Sequence, residues 1–558
     1  MKKKSIFLAC IAVSIMTLLS VTSVFAVDVQ GEVNGTWDDE GGYRVIGDIE
    51  VPARDSLIIL PGVQVTFADD YDFTVYGTLY AIGEEADSVR FDTYARARGS
   101  WSGIIFSGSY ADGSVLDYCS IPWGNVGITV EDANPRIYNC RISHTQNSGI
   151  LVEGGAPRFD SCIIAETGQS EDTAVKVLSR GMARFNNCKL NRVSGNGIAA
   201  GEACTAFITN CEFDYIGLYA INLATATSCS LSGNFIFRPG VRGISVDAGS
   251  LHYIDHNIID GAGAGAGIWI RRGTSINIIN NTIMNNYVHG IQTYESSVTI
   301  INNIVTTNGD DGLAIQGDEV TAGYNVVYGN QSDNYNGIEA PATDINDSPG
   351  LDDDYFPQEG SVCIDAGDAR YPDPDGTRGD IGARFFNQND PPVIVDFSPE
   401  LGDEVAGDQE ITFSITAVDS NDHILFYTWY LNGIERGYDT TFTYLFNRDG
   451  SYEVLVVVKD GYYLGTAAHG WDFEIRGSDA PFEDDLHPTG FELAAPYPNP
   501  FNSTARLDLT AFSSSDVKVE LFDITGRKTL SLWDGLLQPG IQTLLVDGVN
   551  LPEGVYLV

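Results

Sequence analysis

Basic residues are scarce in this chain of 558 residues: 31 Lys and Arg stand against 76 Asp and Glu, and the formal net charge is −45. A surface this acidic repels phosphate backbones, so we expect neither nucleic acid nor an anionic membrane as a partner. It also disfavours polyanionic polysaccharides unless calcium or a local basic patch intervenes. Acidic exported proteins often bind calcium as a cofactor, although solubility alone also accounts for the charge.

A long apolar run is found only at the N-terminus, where three lysines precede SIFLACIAVSIMTLLSVTSVFA. Val24 and Ala26 supply the small residues of a cleavage site, so residues 1–26 are predicted to be a secretory signal peptide. The alternative is a retained membrane anchor. Later stretches fall short of the ~18 apolar residues that cross a bilayer. We therefore expect a mature chain without a transmembrane segment, secreted, extracellular or attached to the outer cell surface.

Cysteines paired by a Cys-x-x-Cys or Cys/His spacing are missing, which argues against a zinc site and a catalytic thiol. Export would favour disulfides. Five cysteines nevertheless recur at a regular interval, which predicts free thiols pointing inward. Those in the recurring column are Cys119, Cys140, Cys162, Cys188 and Cys211, whereas Cys204, Cys229 and Cys363 lie outside it.

Two short motifs recur together along the chain. In the first, an apolar stretch carries a marked Cys or Asn, as in IYNCRI, ITNCEF and IINNTI. The marked residues follow one another at spacings of 21, 22, 26, 23, 23, 23, 24, 22 and 22. They are Cys119, Cys140, Cys162, Cys188, Cys211, Asn234, Asn257, Asn281, Asn303 and Asn325.

The second motif is a Gly or Ala followed by an alternating apolar strand, as in VGITV, RGISV and DGLAI. It interleaves with the first motif at the same period, which predicts a β-solenoid with two short strands in each repeat of about 23 residues. Coils stacked ~4.8 Å apart place equivalent residues over one another. A column of inward Asn can then pass hydrogen bonds from coil to coil, and a buried thiol needs no such partner.

The stretch NGDDGLAIQGD places Asp310 and Asp311 before the strand of the second motif. Equivalent positions in other repeats hold Ser148, Asn196, Arg242 and His289, so we interpret the pair as part of a recurring, variable turn. The stretch also resembles the acidic signature of polygalacturonases, which would make Asp310 and Asp311 catalytic. Their Asn-Thr-Asp and downstream Gly-His-Gly elements have no counterpart here, and adjacent aspartates alone do not define a glycosidase pair.

With its repeats, the region 27–385 resembles the right-handed parallel β-helix, or pectate-lyase-like, superfamily. The opening VIGDIEVPARDSLIILPGVQVTF and the closing GSVCIDAGDARYPDPDGTRGDIGARFF are similar to the first and last coils of secreted bacterial members. The resemblance implies the fold and leaves the chemistry open. Lyases of this superfamily carry a calcium-binding acidic cluster and a catalytic base on outward faces, and no such cluster is visible in the outward rows of this sequence.

In the strands of the second motif, alternate side chains are predicted to point outward. These outward positions include an aromatic patch with hydrogen-bonding neighbours, a plausible surface for stacking sugars. The candidate carbohydrate-binding residues are Asp247, Trp269, Arg271, Gln292 and Tyr294. Ordinary scattered surface aromatics are the alternative. A candidate calcium loop lies in DPDGTRGD, where Asp373, Asp375 and Asp380 surround a glycine, although a plain turn that caps the solenoid fits as well.

Two further modules are predicted after a Pro-rich break. Residues 391–477 contain alternating strands such as FYTWYLNG and GSYEVLVVVKDG, which resemble immunoglobulin-like and PKD-type β-sandwich modules. Residues 489–558 resemble the C-terminal sorting domain of type IX secretion cargo, which implies the type IX secretion machinery as a partner. The matching elements are YPNPFN at 497–502, Asp523 with Gly526-Arg527, and LPEGVY at 551–556. Members of that family continue through a basic strand beyond GVYLV, so we expect this copy to be truncated.

The sequence as a whole predicts an all-β protein: a parallel β-helix followed by two β-sandwich modules. Two functions remain open. One is recognition of an extracellular polysaccharide or a surface partner without catalysis, which we prefer. The other is a polysaccharide lyase or glycoside hydrolase that acts on uronic-acid-containing polysaccharide.

Overall fold

The computed structural model describes residues 26–38, 41–169, 172–226, 228–317 and 319–477, together with strands beyond residue 490. The predicted signal peptide lies outside the described residues, apart from Ala26. Two compact units are present, residues 1–389 and 390–558. None of the described helices is long and apolar enough to cross a membrane.

The first unit is a coil of parallel strands with three faces. The first face is a 13-stranded sheet in which each strand pairs with the equivalent strand of the next coil. Its strands are Gly35–Trp37, Ser56–Ile59, Thr78–Ile82, Val115–Asp117, Arg136–Tyr138, Arg158–Asp160, Met182–Asn186, Thr205–Thr209, Ser230–Ser232, Tyr253–Asp255, Ile276–Ile279, Ser297–Ile301 and Glu319–Gly323.

The second and third faces begin from the shared strands Val27–Glu32 and Tyr43–Val51. Strands of the second face are Gln64–Phe67, Val89–Thr93, Cys119–Pro122, Arg141–Ser143, Ile163–Ala165, Lys189–Val193, Glu212–Ile216, Phe235–Phe237, Ile258–Asp260, Thr282–Met284, Ile304–Thr306 and Val326–Tyr328. Strands of the third face are Phe73–Val75, Ile104–Ser107, Ile128–Glu131, Ile150–Glu153, Val175–Leu178, Ile198–Ala200, Tyr219–Ala224, Arg242–Ser250, Ile268–Thr274, Ile291–Tyr294, Leu313–Gln316 and Tyr335–Asn336. A single 3₁₀ turn, Ser109–Ala111, is described between two of these strands.

The parallel β-helix predicted from the repeat is confirmed, but the prediction of two strands in each repeat was wrong. The first motif contains a corner between two strands, so each full coil has three. The residue before every marked Cys or Asn has a positive φ, for example Tyr118 at 45° and Asn280 at 52°. A residue in this left-handed region bends the chain sharply, and the marked side chain then points into the core.

The predicted column of thiols and amides is confirmed. In the lower coils the free cysteines are buried. Above them, Asn257 Oδ1 accepts hydrogen bonds from the backbone N–H and the Nδ2 of Asn234, at 3.0 and 2.8 Å. The same pattern repeats upward through Asn281 and Asn303 to Asn325. This first asparagine ladder satisfies amides that would otherwise be costly to bury.

Residues 345–389 close the first unit by returning along its second face. Asp368 donates its backbone N–H to Asn302 Oδ1 at 2.8 Å, and the Tyr355 hydroxyl donates to Asp260 at 2.7 Å. Cys363 and Ile381 bury themselves against Ile304. The upper second face is therefore partly covered.

In the second unit, two sheets share one aromatic core that contains Phe413, Trp429 and Trp471. The sheets are three-stranded, Val393–Ser398, Gln409–Val418 and Thr441–Phe446, and five-stranded, Glu404–Ala406, Phe426–Leu431, Ile434–Gly437, Gly450–Lys459 and Thr466–Arg476. Two further three-stranded sheets consist of Phe491–Leu493, Thr504–Ala511 and Gly540–Asp547, and of Ser515–Asp523, Lys528–Leu537 and Tyr556–Leu557. Most residues of the predicted sorting motif, including 497–502, lie outside the described residues.

Candidate functional site

The turn between the second and third faces forms an open groove in the upper coils. Its volume is about 590 Å³, and it is lined by Asn285, Asn286, Tyr287, Val288, Thr307, Gly309, Asp310 and Gln331. The Tyr287 side chain is 71% exposed, so its ring is accessible to a ligand. Side chains with amide, hydroxyl and carboxylate groups line the same groove.

A second asparagine ladder fixes the backbone of the turns that line the groove. Asn286 donates its backbone N–H and its Nδ2 to Asn308 Oδ1, at 3.1 and 2.8 Å. Asn308 donates in the same way to Asn330, which donates to Asn334. Because each amide is fixed by the next coil, the turn that carries the groove has a defined shape. The 22-residue spacing of Asn286, Asn308 and Asn330 was the signal in the sequence, and our reading of the repeat missed it.

Glycine is required at the end of this turn, where the strand of the third face begins. A Cβ on Gly312 would lie 2.6 Å from Asn330 Nδ2 and 2.7 Å from a Val327 methyl group. A Cβ on Gly290 would lie 2.3 Å from Val305 and 2.7 Å from Asn308 Nδ2. The glycine of the second motif is therefore required by its close approach to the core and to the second ladder.

Asp310 and Asp311 point to different surroundings. Asp311 is buried, its Oδ1 accepts the backbone N–H of Asp333 at 3.2 Å, and its Oδ2 accepts Nδ2 of Asn336 at 2.7 Å. Asp310 has a side chain that is 42% exposed and lines the groove. Asp311 therefore stabilises the last coil through these two hydrogen bonds. Asp310 is the carboxylate available to a ligand.

His289 lies one coil below Asp311, as the repeat requires. Its Nδ1 accepts the backbone N–H of Asp311 at 3.2 Å. The Oδ2 atoms of Asp310 and Asp311 lie 3.7 and 3.6 Å from the same nitrogen, beyond hydrogen-bond distance. One ligand atom from each of the three side chains falls within 4.8 Å of the others. Because both Asp311 oxygens already accept hydrogen bonds, Asp310 is the member of this cluster that a ligand in the groove would contact first.

The predicted carbohydrate patch is assembled on the third face as the strand register requires. Ser245, Trp269 and Gln292 occupy one cross-strand row, and Asp247, Arg271 and Tyr294 occupy the next. The Arg242 guanidinium lies 4.1 Å from the Trp269 ring centroid, and that of Arg271 lies 5.4 Å away. A sugar that stacks on Trp269 must therefore share the ring with cations that already contact it.

Charged groups of this patch are paired with one another. Asp247 accepts hydrogen bonds from Arg271 Nε at 2.9 Å and from Arg272 at 3.0 Å, and these lower the pKa of its carboxyl group. Burial lowers the pKa of the Arg242 guanidinium. The Tyr294 side chain remains 43% exposed. We infer that the patch offers fewer free polar groups than its sequence suggests.

The predicted calcium loop uses its carboxylates within the protein. Five of the six oxygens of Asp373, Asp375 and Asp380 accept backbone N–H groups, from Asp380, Thr377, Gln388, Asp365 and Phe386. Burial and the neighbouring Asp380 raise the pKa of Asp373 to about 8. Such oxygens are poorly placed for a cation, and calcium binding by this loop stays a prediction.

The family described as right handed beta helix region matches residues 87–206 and 201–344. The fold and this match together show that the first unit contains a right-handed parallel β-helix. No curated protein sequence matches the chain.

Similar solved structures include a double mutant of the periplasmic alginate epimerase AlgG, at 12% identity and a TM-score of 0.33, which covers 52% of this chain and 78% of that one. A PL6 family polysaccharide lyase from Pseudopedobacter saltans has 13% identity and a TM-score of 0.33, and covers 55% and 91%. Tailspike protein 3 of bacteriophage CBA120 has 14% identity and a TM-score of 0.32, and covers 52% and 54%. At these values the similarities carry no functional argument, which must come from the site.

Proposed function

We propose that the solenoid recognises an extracellular carbohydrate and that the groove around Tyr287 is the binding site. The observation that carries this proposal is the exposed Tyr287 ring beside Asn285, Thr307, Asp310 and Gln331 on a turn held by an asparagine ladder. Sugars stack their apolar face on an aromatic ring and place their hydroxyl groups against amides and carboxylates. A fixed groove binds with little loss of conformational entropy.

Recognition is favoured over hydrolysis because of the two aspartates. Hydrolysis of a glycosidic bond needs two carboxyl groups that flank it. Both Asp311 oxygens accept hydrogen bonds from the last coil, and its side chain is 5% exposed. Asp310 alone is then available, which is enough to bind a hydroxyl group and too little for paired acid and base catalysis.

The charge of the site supports a neutral glycan as the ligand. Asp310, Asp311 and Asp333 lie on the same turn of two successive coils, within a chain of net charge −45. A polyanionic glycan would be repelled unless a cation bridged it to the groove. We expect neutral glycans to bind equally well with calcium or with a chelator.

Glycan-array binding of the purified protein tests the site. Tyr287→Ala is expected to weaken binding by up to about tenfold, because a stacking contact with one aromatic ring contributes about 0.5–1.5 kcal/mol and ~1.4 kcal/mol corresponds to a factor of ten. Tyr253→Ala is the matched control, since Tyr253 is 52% exposed on the first face. Equal binding by Tyr287→Ala and the wild type would refute the site.

The same array decides whether the patch on the third face takes part. Trp269→Ala weakens binding if the ligand extends from the groove across Trp269 and Gln292. Unchanged binding by this variant would remove the patch and leave the groove.

Cleavage of uronic-acid-containing polysaccharide is the second candidate function, favoured by the position of His289 near both carboxylates. Incubation with such polysaccharides, with calcium and with chelator, separates the two functions. Unsaturated products with ultraviolet absorbance would support a lyase, and new reducing ends without that absorbance would support a hydrolase. Under the preferred proposal neither product forms.

Export is proposed from the two ends of the sequence. Residues 1–26 direct secretion, residues 391–477 act as an immunoglobulin/PKD-like spacer, and residues 489–558 address the chain to the type IX secretion machinery. The protein then acts outside the cell or on its outer surface. N-terminal sequencing of the protein from the producing cells should find Val27 first, and a chain that retains residues 1–26 would contradict the cleaved signal.

A further inference from the structure

Two loops of the second unit meet and bring acidic groups and a histidine together. Asp419 directly follows the strand Gln409–Val418, and His423 lies four residues further along the same loop. Asp460 directly follows the strand Gly450–Lys459. One ligand atom from each of these three side chains lies within 4.8 Å of the other two.

Asp419 holds its loop with one oxygen and leaves the other without a partner. Its Oδ1 accepts the backbone N–H groups of Asn421 at 2.9 Å and of His423 at 3.1 Å. Its side chain is 2% exposed, and Oδ2 is buried without a hydrogen bond. His423 Nδ1 is likewise buried without a hydrogen bond, 3.6 Å from Asp419 Oδ1. Each of these buried atoms costs free energy unless something else binds it.

The opposite loop is shaped around Asp460. This side chain is buried, and its Oδ1 accepts the backbone N–H of Tyr462 at 2.8 Å. Gly465 passes so close that a Cβ there would lie 1.6 Å from Asp460 Oδ1, so only glycine fits. The Tyr462 ring packs on the His423 ring, with centroids 4.3 Å apart. Backbone and ring contacts therefore fix the positions of Asp460 and His423.

A bound cation would satisfy Asp419 Oδ2 and His423 Nδ1 together. Two buried carboxylates that approach each other repel in a medium of low dielectric constant, and a divalent cation between them reverses that interaction. An imidazole nitrogen beside carboxylate oxygens suits Zn²⁺ and similar transition-metal ions, whereas Ca²⁺ takes oxygen ligands only. We propose that Asp419, His423 and Asp460 bind a divalent transition-metal ion of the zinc class, which ties the two loops together.

Calorimetric titration of the full chain with Zn²⁺, after treatment with a chelator, tests the site. The wild type should bind Zn²⁺ at this site, and Asp419→Asn or His423→Gln should weaken that binding by at least about tenfold, the smallest effect typical even of outer-shell partners. Asp419→Asn keeps an oxygen that can accept the two backbone N–H groups, so the loop should persist. Asp422→Asn is the matched control, an exposed residue of the same loop, and should bind as the wild type does.

His289→Gln, titrated in parallel, identifies any second binding event that arises at the solenoid groove. The proposal is overturned if Asp419→Asn and His423→Gln retain wild-type Zn²⁺ binding, or if the wild type binds no Zn²⁺. Binding of Ca²⁺ that His423→Gln leaves unchanged, without Zn²⁺ binding, would also overturn it, because the histidine would then not be a ligand. The proposal does not depend on carbohydrate binding by the first unit.

Discussion

Asn281 uses its whole carboxamide inside the core. Its Oδ1 accepts the backbone N–H and the Nδ2 of Asn257, each at 2.9 Å. Its Nδ2 donates to the Ile254 carbonyl at 2.8 Å and to Asn303 Oδ1 at 2.9 Å. This one side chain thus links three coils by hydrogen bonds, and its removal should destabilise each of them.

Replacing Asn281 with Ala should destabilise the solenoid strongly. The substitution removes the acceptor of two buried hydrogen bonds from Asn257, whose Nδ2 keeps the Leu231 carbonyl while its backbone N–H is left unsatisfied, and an unsatisfied buried group costs about 1–3 kcal/mol. Asn277→Ala removes the same carboxamide from an outward position on the neighbouring strand and should change stability by less than about 0.5 kcal/mol. Denaturant unfolding of both variants gives the comparison, and equal midpoints would contradict the role of the ladder.

Asp373 should make stability fall as the pH rises. Its pKa is about 8 in the folded protein against an ordinary 3.8, so the folded state binds the extra proton between these values. The stabilisation is complete below pH 3.8 and is lost as the pH rises through about 8. Asp373→Asn cannot ionise and should flatten this decline, while exposed Asp353→Asn should not. Unfolding midpoints measured with a chelator across that range decide the matter, and a wild type whose stability is flat there would contradict the assignment.

The sequence predicted the ladder, but the prediction missed the corner that precedes each of its residues. Period alone placed Cys140 and Asn281 in one inward column, because equivalent residues of stacked coils must superpose. The bend before them was missed, although the residue in the left-handed region is an asparagine in half of the repeats: Asn139, Asn187, Asn210, Asn280 and Asn302. Asn adopts the left-handed region more readily than most residues, so these repeats carried a local signal, whereas at Tyr118 the surrounding coil imposes the conformation.

At the scale of the element, the repeating feature is a turn and the third-face strand that follows it. The Gly of the second motif lets the backbone pass over the core and the second asparagine ladder, and the variable residues before it form the groove. The groove could not be predicted from the sequence because three successive coils line it. In each coil the lining residues are of types that are common in any surface loop. No sequence motif marks Tyr287, and only the structure shows that it is exposed.

Gly312→Ala should damage this element. Its Cβ would come within 2.7 Å of Asn330 Nδ2, the Asn334 carbonyl and Val327, and overpacking of this kind costs roughly 1–3 kcal/mol. We expect a lower unfolding midpoint and weaker glycan binding, because the turn before the glycine must shift. Gly113→Ala is the control, since its nearest neighbour would be 3.6 Å away. If both variants behave like the wild type, close approach is not the reason for the glycine.

At the scale of the whole molecule, the acidic charge and the repeat act together. The solenoid is a long rigid support on which one turn can vary from coil to coil without loss of the core. The net charge argued against nucleic acid as a partner. The period of the sequence repeat predicted the fold. The ligand could not be predicted, because it depends on which side chains of neighbouring coils remain exposed, as Asp310 does, and which are held by their neighbours, as Asp247 is by Arg271 and Arg272.

The central claim is that the groove around Tyr287 and Asp310 binds a glycan and releases it intact. Mass spectrometry of the array-identified glycan, recovered after prolonged incubation with the protein, tests this most directly. The expected result is an unaltered glycan, recovered in complex with the wild type and Tyr253→Ala and lost with Tyr287→Ala. Shortened or unsaturated chains that disappear with Asp310→Asn or Asp311→Asn would contradict the claim and establish an enzyme instead.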